Sequence, residues 1–247
     1  MQLFISDVHL QAERPALTRG FLGFLQQQAT QAQALYILGD LFDLWLGDDA
    51  ATDYHHGIAQ ALKQLSQQGT AIYLIHGNRD FALGPAFCQL SGMTLLADEH
   101  CLEPHETQLP ARLLLLHGDQ LCTDDRGYQR MRKIYRTPWI KHLLLNLPLK
   151  LRQKIARQTR KTSRELTKNK ADYIIDVNHS SVENLMQQWQ ASLMIHGHTH
   201  RPACHSLDLA GMNQPAQRWV LGDWSDTQGS MIQLCNGQLS LHSFDFS

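Results

Sequence analysis

The chain has 247 residues, 43% of them hydrophobic and 18% charged, with a formal net charge of -1. That length buries a sizeable core in one domain, or in one domain with an insertion, and the composition excludes a disordered or low-complexity chain. Five scattered cysteines without CxxC spacing, Cys88, Cys101, Cys122, Cys204 and Cys235, disfavour a disulfide framework and a thiolate metal site and fit a reducing cytoplasm.

Met1 runs directly into the first predicted strand, "LFIS", with no basic segment or cleavable apolar core that would read as a signal peptide. The strand ends abruptly at Asp7-Val-His9, and helical spacing follows at Leu17, Phe21, Phe24 and Leu25. A second strand, "LYIL", delivers Gly39, Asp40 and Asp43 and precedes a helical pattern at Ile58, Ala61, Leu62 and Leu65. The run "AIYLI" leads to His76-Gly77-Asn78-Arg79-Asp80, and "LLLL" leads to His117-Gly118-Asp119. Late in the chain "SLMI" delivers three alternate histidines, His196, His198 and His200. Short apolar runs that alternate with amphipathic helices predict an α/β fold whose strands are buried on both faces. Ligands then collect at the C-terminal edge of the sheet, where open α/β folds place their sites. After Arg201, alternation in "RWVLGDW", "SMIQL" and "LSLHSF" predicts antiparallel strands that complete a second sheet.

Between the fourth and fifth of these strands lies a segment of opposite character. Of the 22 Lys and Arg, 15 fall between Arg126 and Lys170, against a single acid, Glu165. They alternate with Tyr128, Met131, Trp139, Leu143, Leu144 and Leu151, so the segment is expected to face something negative. An anionic lipid interface fits basic and apolar residues together; nucleic-acid phosphates are the other anion such a stripe meets. The most apolar window, "WIKHLLLNLPLKL", contains Lys141, Pro148 and Lys150, short of the roughly 20 apolar residues that span a bilayer. Trp139 is an interface anchor or core, whereas Trp189, Trp219 and Trp224 are expected in the core.

The strand-end residues are Asp, Asn and His without Cys, a donor set suited to Mn²⁺, Fe or Zn²⁺. A carboxylate such as Asp40 can bridge two ions. Two divalent ions with two carboxylates, Asp7 and Asp40, and otherwise neutral ligands leave a positive cradle for a phosphoryl group.

In this order, D-x-H from Asp7, G-D-x-x-D from Gly39, G-N-R-D from Gly77, H-G-D from His117 and G-H-T-H from Gly197 resemble the calcineurin-like metallophosphoesterase superfamily. The likeness covers all but the basic insertion. The stretches "ALYILGDLFDLWLGDD", "IHGNRDF", "LLHGDQLCTDD", "DVN" and "IHGHTHRP" place it nearest the branch that acts on UDP-2,3-diacylglucosamine in lipid A biosynthesis. The resemblance implies a four-layer α/β/β/α sandwich built from residues 1–123 and 171–247, with a helical lid over 124–170.

It also implies a site. One ion would be held by Asp7, His9, Asp40 and His200, the other by Asp40, Asn78, His117 and His198, with Mn²⁺ the expected metal. His196 would support the loop by hydrogen bonding. Catalytic roles fall to Arg79, Asp40 and Asn78. Substrate contacts fall to Asn78, Arg79, Asp125, Ser163, Thr167, Lys170 and His198, although family members often carry Asn where this chain has Thr167.

Arg79 discriminates most, because many relatives that cleave phosphodiesters carry His after the Asn. An alkoxide leaving group needs a proton, whereas a phosphate leaving group mainly needs its charge met, which a guanidinium does. The implied activity is hydrolysis of the pyrophosphate of UDP-2,3-diacylglucosamine at the α-phosphorus, giving UMP and 2,3-diacylglucosamine 1-phosphate. The implied setting is the cytoplasmic face of the inner membrane, with a lipid-linked nucleotide sugar and an anionic membrane surface as partners and no nucleic acid. A phosphodiesterase acting on a non-lipid substrate is the nearest alternative, and a non-catalytic scaffold the more distant one.

Overall fold

In a computed structural model, residues 1–168, 176–209 and 215–246 are described, and for 161–168 the backbone alone. In chain order the first half comprises β1 (Gln2–Ile5), α1 (Pro15–Gln27), β2 (Ala34–Ile37), α2 (Asp53–Gln67), β3 (Ala71–Leu74), α3 (Pro85–Ser91) and β4 (Met93–Leu95). Then come β5 (Glu99–Leu102), α4 (Pro104–Thr107), β6 (Leu113–Leu116), α5 (Arg126–Arg136), α6 (Pro138–Leu145) and α7 (Leu149–Lys168). The chain closes with α8 (His179–Trp189), β7 (Leu193–His196), β8 (Ala203–Leu207), β9 (Ala216–Val220), β10 (Gln228–Cys235) and β11 (Gln238–Asp245).

Two mixed sheets result, one ordered β11-β10-β1-β2-β3-β4 and the other β5-β6-β7-β9-β8. In the first, β1 to β4 run parallel, with Phe4 opposite Tyr36 and Tyr36 opposite Tyr73. In the second, β6, β7 and β9 run parallel. Parallel pairs need crossover connections, and α1 and α2 supply them in the first sheet. The predicted helical stripes hold: Leu17, Phe21, Phe24 and Leu25 are buried on α1, and Ile58, Leu62 and Leu65 on α2.

Three apolar clusters make the layers. Leu3, Ile5, Leu35 and Leu74 on one face of the first sheet pack with Phe21 and Phe24 of α1 and Leu62 of α2. The opposite face, with Phe4, Leu38 and Ile232, meets Leu113, Leu115 and Ile195 of the second sheet. The outer face of that sheet, with Leu114, Leu116 and Met194, packs on Val182 and Met186 of α8. The architecture is therefore the expected α/β/β/α sandwich. Both faces of β1, β2, β6 and β7 are covered, which is why they read as continuous apolar runs rather than alternating ones.

One expectation is corrected. The segments after Arg201 do not together complete the second sheet: β9 joins it parallel to β7, β8 antiparallel to β9, and the β10–β11 hairpin adds antiparallel to β1 in the first sheet. Alternation reports only that one face is buried, and the apolar layer between the sheets accepts strands from either side. The hairpin turns at Asn236-Gly237, both with positive φ (51° and 69°), as a two-residue β-turn requires.

Helices α5, α6 and α7 fall in the basic segment. Asp125 caps α5 by accepting from the Tyr128 N–H at 3.0 Å, and Pro138 opens α6. Among the described residues no helix is long and apolar enough to cross a membrane. Trp224 is buried against Phe21 and Phe24, and Trp189 and Trp219 pack partly buried on the sheet cores, whereas Trp139 on α6 is 69% exposed.

Candidate active site

The loops after β1, β2, β3, β6 and β7 leave their strands at one end of the two sheets and run against one another. Asp7 donates its N–H to Gly39 O at 3.1 Å and His9 to Asp40 O at 2.9 Å. Asp7, His9, Asp40, His198 and His200 all adopt left-handed backbone, with φ between 54° and 68°. The other described non-glycine residues with positive φ, Gln108, Gln190 and Asn236, sit at helix ends and in the hairpin turn. Each such residue carries a strain of about 1–3 kcal/mol that the surrounding fold must over-determine, and such strain collects at functional sites. Gly39 is required: it has φ 88°, and a Cβ there would lie 2.5 Å from Gly77 N and 2.7 Å from His117 Nδ1. A Cβ on Gly77 would overlap the Asp40 carboxylate.

The structure brings the seven predicted ligands together. Asp7 Oδ1 lies 3.3 Å from His200 Nε2 and 4.0 Å from His9 Nε2, and these three residues form one potential metal-holding group. Asn78 Oδ1 lies 3.0 Å from both His117 Nε2 and His198 Nδ1. Asp40 stands between the two groups, its Oδ2 3.9 Å from His9 Nδ1 and 3.8 Å from His117 Nε2. Asp7, Asp40 and His117 form the second potential group.

The donors fit a divalent cation on local grounds. His117 Nδ1 lies 2.8 Å from Leu38 O, so it carries the proton in the neutral ring and Nε2 turns a lone pair toward Asn78 Oδ1. Burial works against a charge on this ring, but Asp40 and Asp7 outweigh it and push His117 up, so a proton satisfies the 3.0 Å contact of Nε2 with Asn78 Oδ1 where a divalent ion would take its place. Among the described residues, Asp7 Oδ1 and His9 Nδ1 are buried without a hydrogen-bond partner. Burial pushes His9 and His198 down to about 4, so both are neutral imidazoles near pH 7, the form that binds metal. Burial pushes the Asp40 carboxyl up, and Asp80 and Asp7 push the same way. Burial opposes ionisation of Asp7 too, but the surrounding histidines, His200 first, hold it below the usual carboxylate range.

Around these side chains lies a shell that orients them. Ser6 Oγ donates to Asp7 Oδ2 at 2.6 Å, and the His198 N–H to the same oxygen at 2.9 Å. Asp80 is buried and accepts from the N–H groups of Gly77 (2.8 Å), Leu41 (2.8 Å) and Asp40 (3.3 Å), so it ties the second and third loops together rather than pairing with Arg79. His196 is fully buried, as its predicted supporting role requires: Nδ1 lies 2.8 Å from Gly197 O, and Arg218 Nη1 lies 2.9 Å from Nε2. Burial first, then Arg218, pushes it down to about 3. Sequence reasoning missed Ser6, Arg218 and the tying role of Asp80. Asp80 lay inside a quoted motif; Ser6 and Arg218 left no local signal.

A cavity of about 790 Å³ opens beside the ligands and is lined by Trp45, Phe81, Leu144 and Ile155, with Arg79 and His198 among its polar lining residues. Arg79 Nε is buried and has no hydrogen-bond partner among the described residues. Asp125 also lines the cavity while capping α5. Lys170 and the side chains of Ser163 and Thr167 lie outside the described residues.

The basic segment spends part of its charge on the protein itself. Arg160 Nη2 reaches both oxygens of Asp43 at 2.6 Å, Arg152 pairs with Asp49, Arg132 with Asp119 (2.7 Å), and Arg136 with Asp98 (2.6 Å). The expectation that this segment faces something negative is thus met first by four carboxylates of the sandwich.

An α/β/β/α sandwich with Asp, Asn and His ligands gathered at the C-terminal edge of its parallel strands defines a metallophosphoesterase. The chain belongs to the calcineurin-like phosphoesterase family, whose match runs over residues 2–202; members of that family use divalent metals. Curated relatives narrow this further. It is 50% identical over 244 residues to a UDP-2,3-diacylglucosamine hydrolase of Photorhabdus laumondii subsp. laumondii, with 99% of each chain covered. The hydrolase of the same name from Pseudomonas syringae pv. tomato is 49% identical, covering 100% of this chain and 96% of its own, and that from Ectopseudomonas mendocina is 51% identical, covering 95% and 94%.

Proposed function

We propose that this chain hydrolyses the pyrophosphate of UDP-2,3-diacylglucosamine. Water adds at the α-phosphorus, the bond from that phosphorus to the bridging oxygen breaks, and UMP and 2,3-diacylglucosamine 1-phosphate leave. The observation that carries this reading is Arg79, which lines the apolar cavity together with the ligands Asn78, His198 and His200 and whose buried Nε has no hydrogen-bond partner among the described residues.

Each residue then has a role. Asp7, His9, Asp40 and His200 would hold one divalent ion, and Asp40, Asn78, His117 and His198 a second, with Mn²⁺ the metal we expect. Bound there, the pair would bring the pKa of a coordinated water toward neutrality and offset negative charge on the phosphoryl oxygens. The Arg79 guanidinium offers a planar fork to the β-phosphate, meeting the charge that develops as it leaves, and no general acid is needed. His198 and Asn78 lie against the phosphates, and Asp125, Ser163, Thr167 and Lys170 meet the rest of the headgroup.

Residues 124–170 are assigned as a lid whose apolar inner face, with Leu144 and Ile155, receives acyl chains. Residues 1–123 and 171–247 form the catalytic core. On the lid Trp139, Leu143 and Leu151 are exposed, as are Arg130, Lys133 and Lys154, a composition that supports peripheral docking on an anionic inner membrane from the cytoplasmic side.

The test is UMP release by metal-stripped protein in detergent micelles. Mn²⁺-dependent release from UDP-2,3-diacylglucosamine, with none from UDP-N-acetylglucosamine, is the expected result. Cleavage of a simple phosphodiester alone would sink the lipid reading and leave a non-lipid phosphodiesterase.

A further inference from the structure

Two arginines one turn apart on α5, Arg132 and Arg136, line the cavity and also grip the loops that carry the ligands. Arg132 Nε donates to Asp119 Oδ2 at 2.7 Å, two residues beyond His117. Asp119 is 1% exposed, and Tyr128 Oη also donates to its Oδ2, at 2.8 Å. Arg136 Nη2 donates to two successive carbonyls, His76 O at 3.2 Å and Gly77 O at 3.0 Å, immediately before Asn78. Both guanidiniums share one further carboxylate: Asp98 Oδ1 accepts from Arg136 Nη1 at 2.6 Å, and Asp98 Oδ2 lies 3.5 Å from Arg132 Nη2. Asp98 falls in the short connection between β4, the edge of the first sheet, and β5, the edge of the second.

We infer that Arg132 and Arg136, oriented by Asp98, are positioning residues for the metal centre: they clamp the loop of the first sheet that carries Asn78 to the loop of the second that carries His117. The inference rests on the metal assignment proposed above. Asn78 Oδ1 and His117 Nε2 come from different sheets, yet stand 3.0 Å apart. A side-chain pair can hold that spacing only if the loops beneath it are fixed relative to each other. On the cavity side, helix α5 supplies that brace through charge-assisted hydrogen bonds at 16–17% side-chain exposure, where solvent screens them less than at the surface. Arginine suits the task and lysine does not, because one guanidinium spans a carboxylate and two carbonyls at once. By reciprocity, metal held by Asn78 and His117 must in turn favour docking of α5.

The experiment is calorimetric titration of Mn²⁺ into the full-length, chelator-stripped protein, for the wild type, Arg136→Met, Asp98→Asn and Arg152→Met. Outer-shell partners of metal ligands typically govern affinity by 10–100-fold, so Arg136→Met is expected to weaken one of the two binding steps by about tenfold. The other step, belonging to Asp7, His9 and His200, should stay within about twofold of the wild type, which a general loosening of the fold would not allow. Asp98→Asn should weaken the same step to a smaller degree, and it carries the test if Arg136→Met does not fold, since Asp98 is 42% exposed and its side chain, among the described residues, bonds to the two arginines and to neither loop. Arg152→Met removes a lid anchor whose hydrogen bonds go to Leu46 O and Asp49 and not to either loop, and should change neither step. Wild-type affinity in Arg136→Met, or in Asp98→Asn where that variant carries the test, would overturn the inference and leave the metal reading intact; so would equal losses in both steps or an equal loss in Arg152→Met. A single Mn²⁺ step in the wild type would sink the two-ion reading instead. The inference is then decided on that one step, supported by its loss in Arg136→Met and overturned by its retention.

Discussion

The backbone N–H of Arg79 donates to Asp40 Oδ1 at 2.7 Å. The carboxylate placed between the two ligand groups is thereby oriented by the residue proposed to meet the leaving phosphate, and a change at either is felt at both. Asp40→Asn keeps an oxygen for that N–H but removes the charge that would bridge the ions. Losing several kcal/mol of charge stabilisation corresponds to a fall in kcat of about a thousandfold. Stability should move the other way. In the metal-stripped protein Asp40 is a buried carboxylate beside Asp7 and Asp80, both of which oppose its ionisation. Its neutral replacement should gain roughly 0.5–2 kcal/mol in urea unfolding at pH 7. A loss of stability together with activity would mean that Asp40 serves the fold rather than the chemistry.

Arg79→Lys separates charge from geometry. The ammonium keeps the positive charge but loses the planar fork, and hydrogen bonds to charged groups contribute about 1.5–3 kcal/mol, so kcat/KM for the diacyl substrate should fall about 10- to 100-fold. The loss belongs mainly in kcat, because charge on the leaving group grows toward the transition state. Steady-state kinetics on micellar substrate decides it. A rise in KM at constant kcat would show that Arg79 only binds the ground state.

Much of this site was legible in the sequence because its signals are local. Asp7, His9, Asp40, Asn78, His117, His198 and His200 each follow an apolar run within a few residues, and such a run in an α/β chain is a buried strand whose end faces the site. Glycines such as Gly39 were visible for the same reason. What stayed hidden depends on distant partners. The sheet that β10 and β11 join is set by the pairing of Phe4 with Ile232, 228 positions apart, and alternation in β10 is blind to that choice. The basic segment looked like one docking surface because its acidic partners, Asp43, Asp49, Asp98 and Asp119, lie before it in the chain and are separated from one another. Arg218 supports His196 from a neighbouring strand, and nothing in either local pattern announces the pair.

The pair Asp43–Arg160 gives the lid a pH-dependent anchor. Burial alone would raise the Asp43 carboxyl, but Arg160 outweighs it and holds the folded value below the ordinary one. For a carboxylate depressed in the folded state, the stabilisation is complete above the unfolded pKa, about 3.9, and is lost as pH falls through the lower folded value. Arg160→Met should therefore lower stability by about 1 kcal/mol, equally at pH 7 and pH 5, for a pair with roughly a quarter of each side chain exposed. The gap between variant and wild type should narrow only below about pH 4, as the wild type loses the same contribution by protonation. Urea unfolding of both proteins at pH 7, 5 and 3.5 measures it. A gap that is already smaller at pH 5 would show that the Asp43 carboxyl is not depressed and that the anchor works through packing of the Arg160 stem.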